Sequence, residues 1–535
     1  MTAPTRQLNL ADLFEAVVDA CPDRLALVAG DARLTYRQLD DRANRVAHHL
    51  LDRGVRAGEH VGILSWNRAA WVEAMIGCLK ARAVPINVNY RYVEDELRYL
   101  FNNADLVALI HEGDFAERVA TVVPDVPAVR HVLDIDGGYE DALADASPAR
   151  DFGERSCDDR YVLFTGGTTG LPKGVVWRSE DIFFAAMGGG NFGGDPVRTA
   201  DELGAAAAGR DALIWMVTAP LMHGGGQWVT FIALTTGGTV VLHCEHTFDP
   251  AEAWSTMERE RVQSLMVVGD AMARPLAETL AAEPARWDTS SLVVVGSGGA
   301  ILSDAVRRQL RAQLPNVLIN DGFGASETGA TGSATDSAGS GGGPRFRMGP
   351  HTKVLDDELR PVLPGSGQVG RLARSGHIPL GYYNDDEKTA ATFFIDTSGT
   401  RWVIPGDMAT VDDDGTIVVL GRGSGCINTG GEKVFPEEVE AALKAHPNVF
   451  DAVVVGVPDE RWGEVVAAVV APRPGQQLPT LEGLAEHCRT SLAGYKVPRR
   501  LTLVDEVPRT PVGKADTAWA RRIAAGHATT GAPTR

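Results

Sequence analysis

At 535 residues the chain is too long for one ordinary hydrophobic core, and its length predicts several core-sized units. Its 44% hydrophobic and 23% charged residues are typical of a globular protein and exclude a disordered chain. The 51 basic and 70 acidic residues give a net charge of −19, which argues against nucleic-acid and anionic-membrane partners.

The chain also lacks the sequence signals of export and membrane insertion. No stretch approaches the roughly 18 uninterrupted apolar residues of a membrane span, and residues 1–10 have no apolar secretory core. The six cysteines are scattered, as expected for reduced thiols. We therefore expect a cytoplasmic protein without integral membrane association.

The N-terminal third alternates helix-like and strand-like segments. Apolar residues at helical spacing predict helices over residues 36–52 and 70–81. Short apolar runs predict strands over residues 60–64, 84–88, 107–111 and 132–135. This alternation predicts βαβ units and largely parallel sheets.

A run rich in glycine and threonine follows the apolar segment 161–164. Its backbone N–H groups and hydroxyls can surround phosphate oxygens, and Lys173 adds positive charge for the same anion. It is not a Walker A loop, because Lys173 follows a proline and no serine or threonine comes next. The run comprises Thr165, Gly166, Gly167, Thr168, Thr169, Gly170, Leu171, Pro172, Lys173 and Gly174. It resembles the phosphate-loop signature of the adenylate-forming enzymes, which include acyl-CoA synthetases, luciferases and peptide-synthetase adenylation domains.

The middle of the chain predicts further strands over residues 213–217, 239–242, 264–268 and 292–295. These strands show no alternation of apolar and polar residues, as expected when both faces of a sheet are covered. The glycine-rich segment 188–194 is interpreted as a surface connector.

Residues 219–228 carry a histidine followed by three glycines. The resemblance places His223 at the mouth of the acyl pocket, and Gln227 and Trp228 in the wall of that pocket. His223 and the glycines also look like the oxyanion strip of lipases. A hydrolase needs a serine in a Gly-x-Ser-x-Gly frame, and no serine of the chain has that frame.

Two short motifs lie farther along, the first of them directly after the predicted strand at residues 292–295. Small residues at 296–300 form a tight turn that lets a ligand approach the backbone. The resemblance places Gly298, Gly299 and Ala300 along the adenine and the acyl group, with Gly299 also in the acyl pocket.

The second motif offers an aromatic face, a hydroxyl and a carboxylate in one short run. The resemblance implies that Phe323, where tyrosine is commoner, stacks on adenine. It also implies that Ser326 contacts the α-phosphate and that Glu327 holds Mg²⁺. The expected nucleotide-binding residues of this run are Asp321, Gly322, Phe323, Gly324 and Ser326.

An aspartate and an arginine complete the expected nucleotide site. A buried aspartate can accept both ribose hydroxyls, and an arginine can donate to the ribose or phosphate. Asp407 precedes Arg422 by 15 residues, which is the arrangement of the family that the chain resembles.

A glycine-flanked hinge divides the predicted domains. We expect an ATP- and acyl-binding domain over residues 1–423, a hinge over residues 424–425 and a C-terminal domain over residues 426–535. Ser424 stands where the family usually has a charged hinge residue. The C-terminal part predicts helices over residues 436–445 and 481–491, and strands over residues 452–457, 464–471 and 500–504.

The resemblance gives the C-terminal domain two roles. Gly430 and Gly431 would line the channel for the pantetheine arm of CoA, where a side chain would block the thiol. Lys514 would bridge the substrate carboxylate and the α-phosphate.

Together these features imply an α/β fold. We expect a large N-terminal domain of mixed and parallel sheets with a small β subdomain, and a small mobile α+β C-terminal domain. The resemblance implies a ligase that uses ATP, Mg²⁺ and CoA, with Lys173, His223, Glu327 and Lys514 as catalytic residues. Its substrate would be a hydrophobic carboxylic acid, of a bulky steroid or terpenoid type or a medium- to long-chain fatty acid.

The sequence of residues 421–433 most resembles that of bacterial acyl-CoA synthetases that act on steroid side-chain acids. Three alternatives stay open: loading of a carrier protein, catalysis of one half-reaction, and a non-catalytic nucleotide-binding protein on the same fold. A homodimer is also left open.

Overall fold

The computed structural model describes residues 6–167, 170–191, 194–335, 345–429, 432–459, 461–509 and 515–526. Within these ranges the strands are β1 Leu25–Ala29, β2 Ala32–Thr35, β3 His60–Leu64, β4 Val84–Asn87, β5 Leu106–His111, β6 His131–Asp134, β7 Arg160–Gly167, β8 Gly170–Arg178, β9 Ile214–Val217, β10 Thr239–Leu242, β11 Ser264–Val267, β12 Val294–Gly298, β13 Leu318–Ala325, β14 Gly329–Thr335, β15 Arg345–Arg347, β16 Thr352–Leu355, β17 Gly370–Ser375, β18 Gly381–Tyr382, β19 Phe393–Ile395, β20 Arg401–Val403, β21 Asp407–Val411, β22 Thr416–Arg422, β23 Ile427–Thr429, β24 Glu432–Val434, β25 Val449–Asp459, β26 Gly463–Pro472 and β27 Arg500–Leu503.

The helices of the same ranges are α1 Leu10–Ala20, α2 Tyr36–Asp52, α3 Ala69–Lys80, α4 Glu94–Asn103, α5 Ala116–Val122, α6 Tyr139–Asp145, α7 Ser179–Ala186, α8 Ala200–Ala208, α9 Gly224–Thr235, α10 Pro250–Glu260, α11 Gly269–Ala282, α12 Asp304–Gln313, α13 Asp386–Thr392, α14 Pro436–Lys444, α15 Leu481–Arg489 and α16 Thr517–Ala524. None of them combines the length and apolar character that a membrane span requires.

Two large sheets build the N-terminal part. The first has the strand order β14-β13-β12-β11-β9-β10-β1-β2, and the second has the order β18-β8-β7-β4-β3-β5-β6. The central strands of both sheets run parallel. Most of their residues are apolar, because helices cover both faces; all five residues of β3 are buried. Each sheet has an antiparallel hairpin near one edge, β13–β14 in the first sheet and β7–β8 in the second.

Two smaller sheets follow. The third sheet has the order β15-β22-β21-β17-β20-β19, with β16 beside β17, and is antiparallel throughout its described pairings. The fourth sheet has the order β24-β23-β26-β25, with β27 beside β26, and packs against α14, α15 and α16. The predicted fold class is confirmed, including the small β subdomain and the α+β C-terminal part.

One 3-10 turn, Gly423–Gly425, joins the third sheet to the fourth. The C-terminal part also contacts α11: Arg473 Nη1 lies 3.1 Å from Glu278 Oε1, and the Arg274 guanidinium lies 5.4 Å from the centre of the Phe450 ring. Because this turn is the short connection that we expected, we keep the hinge at residues 424–425 as a proposal.

Three expectations about loops differ from the structure. Of the turn expected at residues 296–300, residues 296–298 are part of β12, because they pair with β11 and β13. The phosphate run is a hairpin whose strands reach Gly167 and begin again at Gly170. The connector at 188–194 is not confined to the surface: Gly189 and Gly190 are buried, and both have left-handed φ angles.

Candidate active site

The candidate site lies where the two N-terminal hairpins meet the third sheet. Trp177 in β8 donates its indole N–H to the backbone oxygen of Ser326, with 3.0 Å between Nε1 and the oxygen. Strand β18 pairs with β8 at Val175 and Val176. These contacts bring the phosphate hairpin, the loop after β13 and the segment around β18 into one region.

Glu327 is held by a tyrosine that sequence reasoning missed. The Tyr382 hydroxyl donates to Glu327 Oε1 across 2.9 Å. Burial raises the pKa of Tyr382, and the negative charge of Glu327 raises it further. The phenol therefore stays protonated and keeps donating to the carboxylate at neutral pH.

Asp407 and Arg422 face each other across neighbouring strands. They are register partners in β21 and β22, and Arg422 Nε lies 3.2 Å from Asp407 Oδ1. Burial alone would lower the pKa of Arg422, but the charges of Asp407 and Glu327 raise it overall. The structure thus brings three expected site residues into one electrostatic cluster.

Lys173 reaches across to a carboxylate that was also missed. Its Nζ lies 2.6 Å from Asp385 Oδ2. The hydrogen bond from Lys173 is the main cause that lowers the pKa of Asp385. The phosphate hairpin therefore has its lysine already paired with an anion.

The aromatic and acidic residues of β13 have partners inside the protein. The centre of the Phe323 ring lies 5.1 Å from that of Phe346, so Phe323 packs against the core of the third sheet. Asp321 is buried beside Arg307, with 3.4 Å between Asp321 Oδ2 and Arg307 Nη2. Burial raises the pKa of Asp321 to about 7.

Glycines in these motifs also have structural reasons. A Cβ on Gly324 would overlap the backbone oxygen of Gly329, so the β13–β14 hairpin itself requires glycine there. Gly299, just after β12, has a φ of +79°, which favours glycine. Gly298 and Gly322 are register partners in β12 and β13, and Ala300 follows in the turn.

The expected acyl-pocket residues lie at the start of α9. His223 is half-buried and is the N-cap residue of this helix. Gln227 is buried; its Oε1 accepts from the Tyr161 hydroxyl at 2.5 Å, and its Nε2 donates to the Leu221 oxygen at 2.9 Å. Trp228 is half-buried. Gln227 thus anchors the helix through both ends of its amide.

Some expected residues lie outside the described ranges. These are Thr168, Thr169, Gly430, Gly431 and Lys514. Thr165 pairs with Lys173 and Gly167 with Gly170 in the hairpin, whereas Gly166 falls at a register shift. On either side of the segment that carries Lys514, Arg509 and Ala515 form an isolated antiparallel bridge.

The sequence gives little indication that Tyr382 and Asp385 belong to the site. Asp385 could have been recognised as a helix cap, because it precedes α13 and accepts from the Lys388 N–H. Its pairing with Lys173 spans 212 residues, and that of Tyr382 with Glu327 spans 55. Local spacing does not reveal such pairs.

The chain matches known proteins over most of its length. The family model of the AMP-binding enzymes matches residues 14–383, and that of the AMP-binding enzyme C-terminal domain matches residues 438–514. A medium/long-chain-fatty-acid–CoA/3-oxocholest-4-en-26-oate–CoA ligase of Mycobacterium tuberculosis H37Rv is 50% identical, covering 98% of this chain and 99% of the relative. A 3-oxocholest-4-en-26-oate–CoA ligase of Rhodococcus rhodochrous is 48% identical, covering 96% of this chain and 95% of the relative.

A solved structure matches over nearly the same length. The anthranilate CoA ligase AuaEII, in complex with anthranoyl-AMP, superposes with a TM-score of 0.84 and 26% identity, over 97% of this chain and 98% of that one. The resemblance inferred from the phosphate run and the later motifs is confirmed. The chain belongs to the AMP-binding enzyme family.

Proposed function

We propose that the chain is an ATP-dependent acid–CoA ligase that makes an acyl adenylate and then transfers the acyl group to CoA, releasing AMP. The observation that carries the proposal is the cluster of Glu327, Asp407 and Arg422 beside the phosphate hairpin. Family membership and the CoA ligase relatives confirm the predicted enzyme class. The expected partners are small molecules, namely the acid, ATP and CoA. A homodimer stays a prediction.

The acid that we propose is large and apolar. Curated relatives at 48–50% identity are ligases of fatty acids and of 3-oxocholest-4-en-26-oate. In this chain the start of α9 carries three consecutive glycines, Gly224–Gly226. The 3-10 turn Gly188–Gly190 approaches the same helix. Of these glycines Gly225 has open space beside it, with nothing within 4 Å of an added Cβ, whereas Gly189, Gly190, Gly224 and Gly226 are closely packed. The size of the acid is therefore proposed from the relatives.

Glu327 fits the role of a Mg²⁺ ligand. Mg²⁺ prefers carboxylate oxygens and usually keeps water and substrate phosphates as its other ligands. Within the described ranges no cluster of three His, Cys, Asp or Glu side chains could hold a metal alone, which suits an ion that arrives with ATP. When bound, Mg²⁺ would neutralise phosphate charge.

In the first step the substrate carboxylate attacks the α-phosphorus of ATP, and pyrophosphate leaves. Negative charge spreads over the phosphate oxygens, so the protein contributes positioning and electrostatic stabilisation. Lys173 and the hairpin backbone would bind the leaving pyrophosphate. Asp407 would accept the ribose hydroxyls, Arg422 would donate to the ribose or phosphate, and Lys514 would neutralise the reacting centre.

In the second step the CoA thiol attacks the acyl carbonyl and AMP leaves. The C-terminal domain would first rotate about Ser424, which withdraws Lys514 and brings Gly430 and Gly431 to the thiol channel. The single 3-10 turn between the third and fourth sheets supports such a rotation, because few backbone angles need to change.

The test is mass spectrometry of reactions that contain ATP, Mg²⁺, CoA and a panel of acids, from acetate to long-chain fatty acids and 3-oxocholest-4-en-26-oate. We expect acyl-CoA from the large apolar acids, and none from the Glu327→Gln variant. Acyl adenylate without acyl-CoA would favour another acceptor, such as a carrier protein, or a single half-reaction. Neither product would favour a non-catalytic nucleotide-binding protein.

The Lys514→Ala variant separates the two steps. We expect it to lose adenylate formation by about a hundredfold or more, because it removes a charge at the reacting centre. Thioester formation from supplied acyl adenylate should be spared. Pyrophosphate exchange and acyl-CoA formation, measured separately, check this. An equal loss in both assays would contradict the role of Lys514.

A further inference from the structure

The segment after the third-sheet strand β17 is fixed along the phosphate hairpin. The Tyr383 N–H donates to the Gly174 oxygen and the Leu380 N–H donates to the Val176 oxygen, both at 2.7 Å. On its other side the Tyr383 hydroxyl donates to Asp105 Oδ2 at 2.9 Å. These bonds hold the backbone that leads into Asp385 at one place beside β8.

The Asp385 carboxylate divides its oxygens between two partners. Oδ1 accepts from the Lys388 N–H at 2.9 Å and so caps α13, while Oδ2 lies 2.6 Å from Lys173 Nζ. The bond from Lys173 lowers the pKa of Asp385, and the Lys388 N–H lowers it further. The carboxylate is therefore an anion at neutral pH, and the helix cap fixes its position.

Lys173 can reach another anion from the same place. It is the register partner of Thr165 in the hairpin, and 40% of its side chain is exposed. A lysine ammonium on a long stem donates to carboxylate and phosphate oxygens alike. An anion that enters the hairpin must therefore share Lys173 with Asp385 or displace Asp385 from the lysine.

We propose that Asp385 is a positioning residue that competes with the polyphosphate of ATP and with pyrophosphate for Lys173. Asp385 holds the ammonium before an anion binds, and it weakens the binding of pyrophosphate through both competition and charge repulsion. The inference rests on the proposed function, since it assigns Lys173 to the leaving pyrophosphate. The wild-type protein should therefore bind ATP and pyrophosphate less tightly than the same hairpin would without the charge of Asp385.

The Asp385→Asn variant tests this while keeping the helix cap, because asparagine caps helices as well as aspartate does. Its matched control is Asp386→Asn, which removes the same charge from the next residue, exposed in the first turn of α13. Pyrophosphate affinity is measured with Mg²⁺ by isothermal titration calorimetry on the full chain. We expect Asp385→Asn to bind about threefold to fivefold more tightly, and Asp386→Asn to match the wild type.

A double-mutant cycle with Lys173→Met shows whether Asp385 acts through the lysine. We expect the gain from Asp385→Asn to disappear in the Lys173→Met background. Unchanged or weaker binding by Asp385→Asn would overturn the proposal, as would the same gain in Asp386→Asn or a gain that persists without Lys173. A wild-type protein that binds neither ATP nor pyrophosphate would instead contradict the proposed function.

Discussion

Tyr382 illustrates how one neutral side chain can orient a charged one. Its hydroxyl donates to Glu327 Oε1 at 2.9 Å, while its own strand β18 is paired with β8. The carboxylate therefore has a defined position before any nucleotide binds. A group fixed in advance costs less to order when the substrate arrives.

The Tyr382→Phe variant should lower kcat/KM for ATP by about tenfold, because it removes a hydrogen bond to a charged group. The measurement is the rate of acid-dependent pyrophosphate exchange at varied ATP. Tyr139→Phe is the matched control, since the Tyr139 hydroxyl donates to Glu73 Oε2, also at 2.9 Å, and neither residue belongs to the candidate site. Equal losses in both variants would indicate a general packing effect and contradict the positioning of Glu327.

At the level of elements, the β7–β8 hairpin depends on close packing across its strands. A Cβ on Gly174 would lie 2.7 Å from Cε2 of Phe164 and 3.1 Å from Cγ1 of Val162. Gly174 also accepts from the Tyr383 N–H. The small residue thus lets the hairpin and the segment beside it pack together.

Gly174→Ala should therefore lower the free energy of unfolding by about 1–3 kcal/mol, since it overpacks a buried contact. It should also raise KM for ATP, because the same strand carries Lys173. Urea unfolding and ATP kinetics check the two effects. Gly153→Ala is the control, because nothing lies within 4 Å of a Cβ at that exposed position. A Gly174→Ala protein as stable as the control would refute the packing argument.

Local patterns predict much of this fold. The helix over residues 36–52 and the strands over residues 60–64 and 239–242 have the expected bounds, because amphipathic spacing and buried apolar runs are local signals. The expected strand at 292–295 begins later, at Val294, and continues through Gly298. The glycines at the end of this segment predict the end of a strand, but pairing with β11 and β13 keeps them in β12.

Residue motifs indicate the site only in part. Glu327, Asp407 and Arg422 converge as the resemblance implies. Phe323 and Gln227 have packing roles that their motifs do not reveal, since Phe323 contacts Phe346 and Gln227 bonds to Tyr161. These contacts join residues far apart in sequence, so they follow from the tertiary arrangement alone.

At the scale of the whole molecule, Glu437 links the C-terminal part to the nucleotide cluster. Its carboxylate touches Gly421, where a Cβ would overlap it. The pKa of Glu437 is raised from 4.5 to about 7, mainly by burial and also by the nearby charges of Glu440 and Asp407, while backbone hydrogen bonds at Glu437 and Arg422 oppose the rise. Glu437 therefore binds a proton more tightly when the C-terminal part packs against the nucleotide cluster than when its carboxylate is exposed to water.

We expect the arrangement to be favoured at low pH and to weaken as the pH rises from the ordinary value of 4.5 through about 7. Small-angle scattering between these values should show a change in the radius of gyration. The Glu437→Gln variant should lose that change, whereas Glu482→Gln, exposed on α15, should keep it. A Glu437→Gln protein with the wild-type pH response would contradict this role.

The candidate site takes Glu327 from beside the first sheet, Lys173 from the second, and Asp407 and Arg422 from the third. One bound nucleotide would therefore tie three separately hydrogen-bonded sheets together. At a hundredfold excess over Kd, such a ligand adds about 2.7 kcal/mol to the stability of whatever must open to release it. Amide protons of β8, β13 and β22 should then exchange with solvent more slowly and in concert, so the nucleotide acts as a cross-link as well as a reactant.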